Sequence, residues 1–151
     1  MTDAFAPFRS RGDRLIVVSE TVPAECGDRA HVEGAMPTAH RETLDALLAP
    51  GAKSALENRF AVSGFRVDVI DPKTFDGLFA VGTAPGLMQR SFPGMVGVLQ
   101  LAPVAFDGVH GDAMVYAILF QDVGLSRGLL IHLVKHQGRW TSREVIRCWI
   151  S

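Results

Sequence analysis

The last third of the chain alternates apolar, strand-length runs with short turn sequences. The turns lie at 107–112, 122–128 and 137–138 and are rich in Gly and Asp. Such runs are typical of β-strands, and because the connections are short, neighbouring strands are expected to pair antiparallel. The pattern therefore predicts a four-stranded antiparallel meander, with strands over Met95–Phe106, Ala113–Gln121, Leu129–His136 and Trp140–Ile150.

The second of these strands is apolar on both sides. One set of alternate positions holds Met114, Tyr116, Ile118 and Phe120, and the other holds Ala113, Val115, Ala117 and Leu119. An antiparallel sheet with one solvated face would alternate apolar with polar residues instead. We therefore expect helices to cover one face, and a curled sheet enclosing a pocket, a long loop or a second subunit to cover the other.

The N-terminal part of the chain is predicted to add a strand and several helices. Leu15–Val18 is a β-branched run typical of a buried strand. Leucines at helical spacing follow Thr38, which is a good helix cap, and Asp71-Pro72 favours the start of another helix. Between them, Phe65–Ile70 alternates apolar with charged residues. The predicted fold is α+β, with the N-terminal strand and helices packed on the meander.

Length and composition fit one domain over residues 1–151. The chain is 48% hydrophobic, so one core can bury most of its apolar surface. Charged residues interrupt the start, so it lacks the continuous apolar region typical of a secretory signal, and residues 1–13 are expected to be poorly ordered. No run approaches the roughly 20 apolar residues of a bilayer span. We expect a cytoplasmic protein that does not bind membranes.

The net charge of -1 at pH 7 lacks the strongly basic signature of nucleic-acid-binding proteins. The C-terminal segment 123–151 is locally basic, with a single acid, Glu144. Its basic residues are Arg127, Lys135, Arg139, Arg143 and Arg147. Because they are spread over two strands, a solvated sheet face is favoured over a polyanion site. We expect no nucleic-acid partner.

The two cysteines, Cys26 and Cys148, lie far apart in the sequence. Two thiols in a domain of ordinary size do not make a disulfide framework, so we expect both to be free. Cys148 is then interpreted as a small buried apolar residue. A reducing compartment fits this interpretation.

Several short motifs carry a family resemblance. They are Phe92-Pro93-Gly94, Leu101–Phe106, Ala113–Tyr116, Lys135–Trp140 and the terminal Trp149-Ile150-Ser151. In these motifs the chain resembles a set of uncharacterised bacterial α+β proteins, over about nine-tenths of its length. Members of that set often carry cysteines where Gln121 and Leu125 stand here, so the resemblance implies no activity based on them. The order of elements is also similar to NTF2-like and cystatin-like folds.

The segment Gly124–Gly128 matches the G-x-S-x-G pattern that places a nucleophilic serine on a strand-to-helix turn. Here the residues that follow, Leu129–Ile131, are typical of a strand. A β-turn in which the glycines adopt positive φ is therefore favoured over a nucleophilic Ser126.

Titratable side chains offer several weaker candidates. His132 and His136 are separated by about 13 Å on a strand, so they cannot share a metal ion. His132 shares a face with apolar neighbours, which favours a hydrogen-bonded buried histidine over a catalytic base. The remaining candidate groups are Glu25, Cys26, His31 and Glu33 as a metal site, and Asp68, Asp71 and Asp76 as acid–base groups. Irregular spacing and helix capping argue against them, and we expect no metal or cofactor.

Two functions remain open. The preferred one is a non-catalytic binding or interaction domain that uses the apolar second face of its sheet to bind a protein partner or a second copy as a homodimer. The alternative is an NTF2-like pocket enzyme with a His or Asp acid–base group. The candidate pocket or interface residues, for either function, are Tyr116, Ile118, Phe120, His132, Trp140 and Trp149.

Overall fold

The computed structural model describes residues 14–49, 55, 65–80, 86–107, 109, 111–122 and 124–151, and the expectation about residues 1–13 lies outside them. Within these residues the chain forms seven strands and four helices. The strands are β1 (Arg14–Val18), β2 (Arg66–Ile70), β3 (Met95–Leu101), β4 (Ala105–Asp107), β5 (Asp112–Asp122), β6 (Leu125–His136) and β7 (Arg139–Ile150). The helices are α1 (Arg29–Ala35), α2 (Arg41–Leu48), α3 (Pro72–Ala80) and α4 (Leu87–Ser91). The predicted α+β class is confirmed.

The strands form one mixed sheet in the order β2-β1-β3-β5-β6-β7, with β4 also paired to β5. β1 is parallel to β2 and β3. The other pairs are antiparallel. The four-stranded meander is not confirmed, because the N-terminal strand lies inside a larger sheet instead of packing on a separate one. Leu15–Val18 is apolar at every position, as expected of a parallel strand buried on both faces.

The run predicted as one strand over Met95–Phe106 is divided in two. β3 ends at Leu101 and β4 begins at Ala105, and both pair with β5. Pro103 lies between them and has no N–H to donate to a sheet ladder. Pro103 therefore explains the break, which the pattern of apolar residues alone does not predict.

All four helices of the described chain pack on one side of the sheet, which we call the helix face. The first cluster on this face joins α1 and α2 to β5 and β6, and includes Val32, Met36, Leu44, Leu47, Met114, Tyr116 and Leu130. The second joins α3 and α4 to β1 and β3, and includes Ile16, Val18, Phe75, Leu78, Met88 and Val98. Asp71 Oδ1 caps α3 by accepting a hydrogen bond from Thr74 N at 2.6 Å, as predicted.

The opposite side of the sheet, the second face, is buried over β1 and β3 but half-exposed over β6 and β7. Leu15, Val17 and Leu119 are at most 2% exposed, and their cluster contains no helix residue from the described segments. Four apolar residues of β6 and β7 that face the same way are half-buried, namely Leu129, Ile131, Leu133 and Val145. The helices thus cover one face, as expected, and part of the second face stays accessible.

The helices of the described residues are five to nine residues long, and none has the length and apolar character needed to cross a bilayer.

Candidate functional site

A buried carboxylate–imidazole pair lies on the helix face. Asp112 begins β5 and is 2% exposed, and His132 on β6 is fully buried. His132 Nε2 is hydrogen-bonded to Asp112 Oδ1. The second carboxylate oxygen, Oδ2, accepts a hydrogen bond from His40 N at 3.1 Å. Since His40 is the N-cap of α2, this pair ties the start of the helix to the sheet. The prediction that Thr38 caps this helix is wrong.

The environment of Asp112 favours its ionised form. Burial by itself raises the pKa of this carboxyl, but the hydrogen bonds from His132 and His40 and the adjoining Thr43 side chain outweigh it. The net pKa therefore lies below the ordinary value of 3.8. His132 Nδ1 is buried and has no hydrogen-bond partner within the described residues. The pair is thus a buried polar contact in which only one of the two imidazole nitrogens, Nε2, makes a hydrogen bond within the described residues.

An open depression of about 590 Å³ lies beside the pair, between α1 and α2. It is lined by Arg29, Glu33, Met36, Pro37, Ala39, Arg41 and Leu44. Neither Asp112 nor His132 belongs to this lining. Arg29 is already bound to two carboxylates, with Glu33 Oε1 at 2.8 Å and Asp45 Oδ1 at 2.5 Å. A general base must reach its substrate proton, and the described residues give His132 no such access.

A second polar contact joins the sheet to the segment before α1. Trp149 Nε1 lies 2.9 Å from the hydroxyl oxygen of Tyr116 and 3.2 Å from the carbonyl oxygen of Glu25. Burial raises the pKa of Tyr116, so its phenol is held in the neutral form. Strict alternation predicts that Trp149 shares a face with Arg147. This is wrong, because a register shift between Gly128 and Leu129 makes Cys148 an extra residue and turns Trp149 to the helix face.

Cys26 and Cys148 form a disulfide across 122 residues of sequence. The expectation of two free thiols is therefore wrong, and the support it gave to a reducing compartment is lost. Cys26 is also removed from the candidate thiolate ligands, and the described part of the chain contains no cluster of three metal-ligating side chains. The disulfide lies next to the Trp149 contact, so the two together fix the segment before α1 to β7.

Gly128 makes room for the Trp149 indole. A Cβ at this position would lie 2.3 Å from Trp149 Nε1, far inside van der Waals contact. We therefore expect Gly128→Ala to displace the indole from Tyr116 and to lower the free energy of unfolding by about 1–3 kcal/mol. Urea denaturation measures the loss, and a red shift of tryptophan emission reports exposure of the indole.

Gly77→Ala in α3 is the matched control, because a Cβ there meets no atom within 4 Å. Because Ala has a higher helix propensity than Gly, we expect Gly77→Ala to raise the free energy of unfolding by up to about 1 kcal/mol. Native stability and emission in Gly128→Ala would show that the indole does not pack on this glycine.

The G-x-S-x-G segment forms a hairpin turn and the strand that follows it. Gly124 has φ of 76° in the turn between β5 and β6. Ser126 lies within β6, opposite Phe120, and exchanges two backbone hydrogen bonds with Ser151. A nucleophile elbow needs a strand-to-helix turn, whereas a strand follows here. The turn interpretation is supported for Gly124 and is wrong for Gly128, which lies within β6 and has no positive φ.

Exposed aromatic residues lie on the second face at the end of the β5–β6–β7 strands. Phe106 is 58% exposed and Trp140 is 39% exposed, with ring centroids 5.9 Å apart. Lys135 Nζ lies 5.9 Å from the Trp140 ring centroid. The strand register places these rings beside the half-buried residues of β6. We call this surface the open face, and it consists of Phe106, Val115, Leu129, Ile131, Leu133, Trp140 and Val145.

The structure separates the six residues that the sequence analysis grouped as a candidate pocket or interface. Tyr116, Ile118, Phe120, His132 and Trp149 lie on the helix face. Trp140 alone belongs to the open face. Asp112 was not among these candidates, and its place at the start of an apolar strand is the signal that could have identified it. Phe106 was also absent from them, because it lay inside the run predicted as the first strand of the meander.

Comparison with protein-family models, curated proteins and solved structures finds no match to this chain. The resemblance to uncharacterised bacterial proteins and the analogy to NTF2-like or cystatin-like folds therefore remain predictions from the sequence.

Proposed function

We propose that this chain is a non-catalytic binding domain and that a protein partner docks on the open face. The observation that carries the proposal is the exposure of Phe106 and Trp140 beside a half-buried apolar row. Contiguous exposed apolar surface is uncommon on monomeric proteins and marks interaction sites. Aromatic residues are also enriched at protein interfaces, where their large rings bury much area.

The face of the sheet is better suited to docking than its edge. β7 is the edge strand, and its pairing with β6 contains two register shifts. Such bulges twist an edge away from further strand pairing, and the exposed Arg139, Arg143 and Arg147 on β7 discourage it further. A partner that adds a strand is therefore disfavoured, and one that packs on side chains of the open face is favoured.

The test uses two variants of equal charge change on opposite faces. Phe106→Glu alters the open face, and His136→Glu alters an exposed position on the other side of the same sheet. Peptides are selected from a random display library against the native chain, and their affinities for both variants are measured by isothermal calorimetry. We expect Phe106→Glu to weaken binding at least about tenfold and His136→Glu to leave it unchanged.

Self-association is measured in parallel by sedimentation velocity, because the predicted homodimer is one form of the same proposal. A dimer that Phe106→Glu dissociates would identify the partner as a second copy. A monomeric chain whose selected peptides bind Phe106→Glu as well as the native protein would overturn the proposal.

The alternative, an NTF2-like pocket enzyme, has one supporting observation, namely that Nδ1 of buried His132 has no hydrogen-bond partner among the residues that the structure describes. An acid–base role requires that this imidazole meet a substrate. Modification by diethyl pyrocarbonate, followed by mass spectrometry, measures its access. Reaction of His132 as fast as exposed His136 would support the enzyme, and protection of His132 argues against it.

A further inference from the structure

Three cations accompany the open face, and one of them, Arg127, already donates a hydrogen bond to Gln121 Oε1. The strand register places Arg127 and Lys135 of β6 and Arg147 of β7 on this side of the sheet. Glu144, the one acid of β7, pairs with His132 and so faces the other way. Between Arg127 and Lys135, the second-face positions of β5, β6 and β7 contain no Asp or Glu. The open face is therefore apolar and locally basic, although the whole chain carries a charge of -1.

The cations stand at the two ends of the half-buried row of β6, and the exposed Ile150 lies opposite Arg127. Arg147 pairs with Leu129, two residues from Arg127, and these arginines mark one end. Lys135 marks the other end, about 26 Å away along β6 at roughly 3.3 Å per residue. Leu129, Ile131 and Leu133 lie between them. An α-helix of about 17 residues has this length at roughly 1.5 Å per residue.

We infer that the occupant of the open face is an amphipathic helix of a partner protein, with an apolar stripe and acidic residues along its flanks. The inference rests on the proposed function and specifies its partner. Packing a helix on a sheet is the ordinary way to cover an apolar sheet face, and four helices do so on the opposite side. Acidic flanks would meet cations at both ends of the row, which sets the charge of the partner.

A second copy of the chain fits this surface less well. In a twofold dimer the same patch meets itself. Because both ends of the row are cationic and no carboxylate lies between them, either orientation of the second copy places cations against cations. Like charges brought together in an interface oppose association.

The test compares two synthetic peptides of about 18 residues, long enough to span the row as a helix. Both carry the same Leu stripe, and the remaining positions are Ala and Glu in one peptide and Ala and Lys in the other. Fluorescence anisotropy measures binding to the native chain at low and physiological salt. We expect the Glu peptide to bind at least about tenfold more tightly than the Lys peptide, with a preference that weakens as salt screens the charges.

Two double variants assign the preference to the open face. Lys135→Glu combined with Arg147→Glu should reverse it in favour of the Lys peptide. His136→Glu combined with Arg139→Glu alters two exposed positions that pair with each other on the other side of the same hairpin, and should leave the preference intact.

The outcomes separate this inference from the proposed function. Equal binding of both peptides that Phe106→Glu abolishes would overturn the acidic partner and leave the binding domain standing. Dimerisation that depends on Phe106, or binding to vesicles of phosphatidylserine and phosphatidylcholine without binding to either peptide, would assign the face to a second copy or a lipid surface and overturn the inference. If no probe binds in a way that depends on Phe106, both the binding domain and its acidic partner are contradicted.

Discussion

Asp112→Ala is expected to lower the free energy of unfolding by about 3–5 kcal/mol, because it breaks a buried pair by removing one partner. His132 Nε2 and His40 N would both lose their acceptor. His132 is fully buried, so water cannot replace the lost carboxylate without opening the core. Urea denaturation followed by far-ultraviolet circular dichroism measures the change.

A double variant controls for the effect of the cavity. Asp112→Leu combined with His132→Leu removes both members of the pair and replaces them with apolar groups. We expect this variant to be more stable than Asp112→Ala, because no buried imidazole is left without a partner. Native stability in Asp112→Ala would contradict the buried pair altogether.

The lowered pKa of Asp112 predicts how the stability of the fold depends on pH. Its pKa in the folded chain lies below the 3.8 of the unfolded chain, so the unfolded chain binds more protons in this range. Its contribution to stability is therefore fully present above pH 3.8 and is lost as the pH falls through the lower folded value. Asp112→Asn should lose less stability than the native protein over this window. Parallel stability curves for the two proteins would contradict the lowered pKa.

Loss of the Cys26–Cys148 disulfide is expected to lower the free energy of unfolding by about 2–5 kcal/mol. The two cysteines are separated by 122 residues, so the bond restricts most of the unfolded chain. In the folded chain it joins the segment before α1 to β7, next to the Trp149 contact. Guanidinium denaturation with and without a phosphine reductant measures the loss.

The variant Cys26→Ala/Cys148→Ala is the matched control, since it has no thiol to oxidise. It should match the reduced native chain and show no response to the reductant. Two free thiols in the native protein purified without reductant, together with a denaturation midpoint that the reductant does not change, would show that the cysteines are not bonded.

Local features of this fold were readable from the residue order. Alternation along β5 correctly assigned Tyr116 and Phe120 to one side of the strand and Leu119 to the other, because side chains of an extended chain alternate between faces whatever lies around them. The Asp71 cap was likewise readable, since its hydrogen bond reaches only three residues ahead. In both cases the physical cause lies within a few residues of the feature.

Features that join distant segments were decided only by the tertiary structure. β1 pairs with β3 about 80 residues later in the chain, and no local period records which strand becomes its neighbour. The extra residue at Cys148 turns Trp149 to the opposite face, and simple alternation cannot place such a bulge. The disulfide and the Asp112–His132 pair likewise depend on approach in space. The apolarity of both sheet faces was therefore predictable, whereas the location of the accessible part over β6 and β7 required the packing of the whole chain.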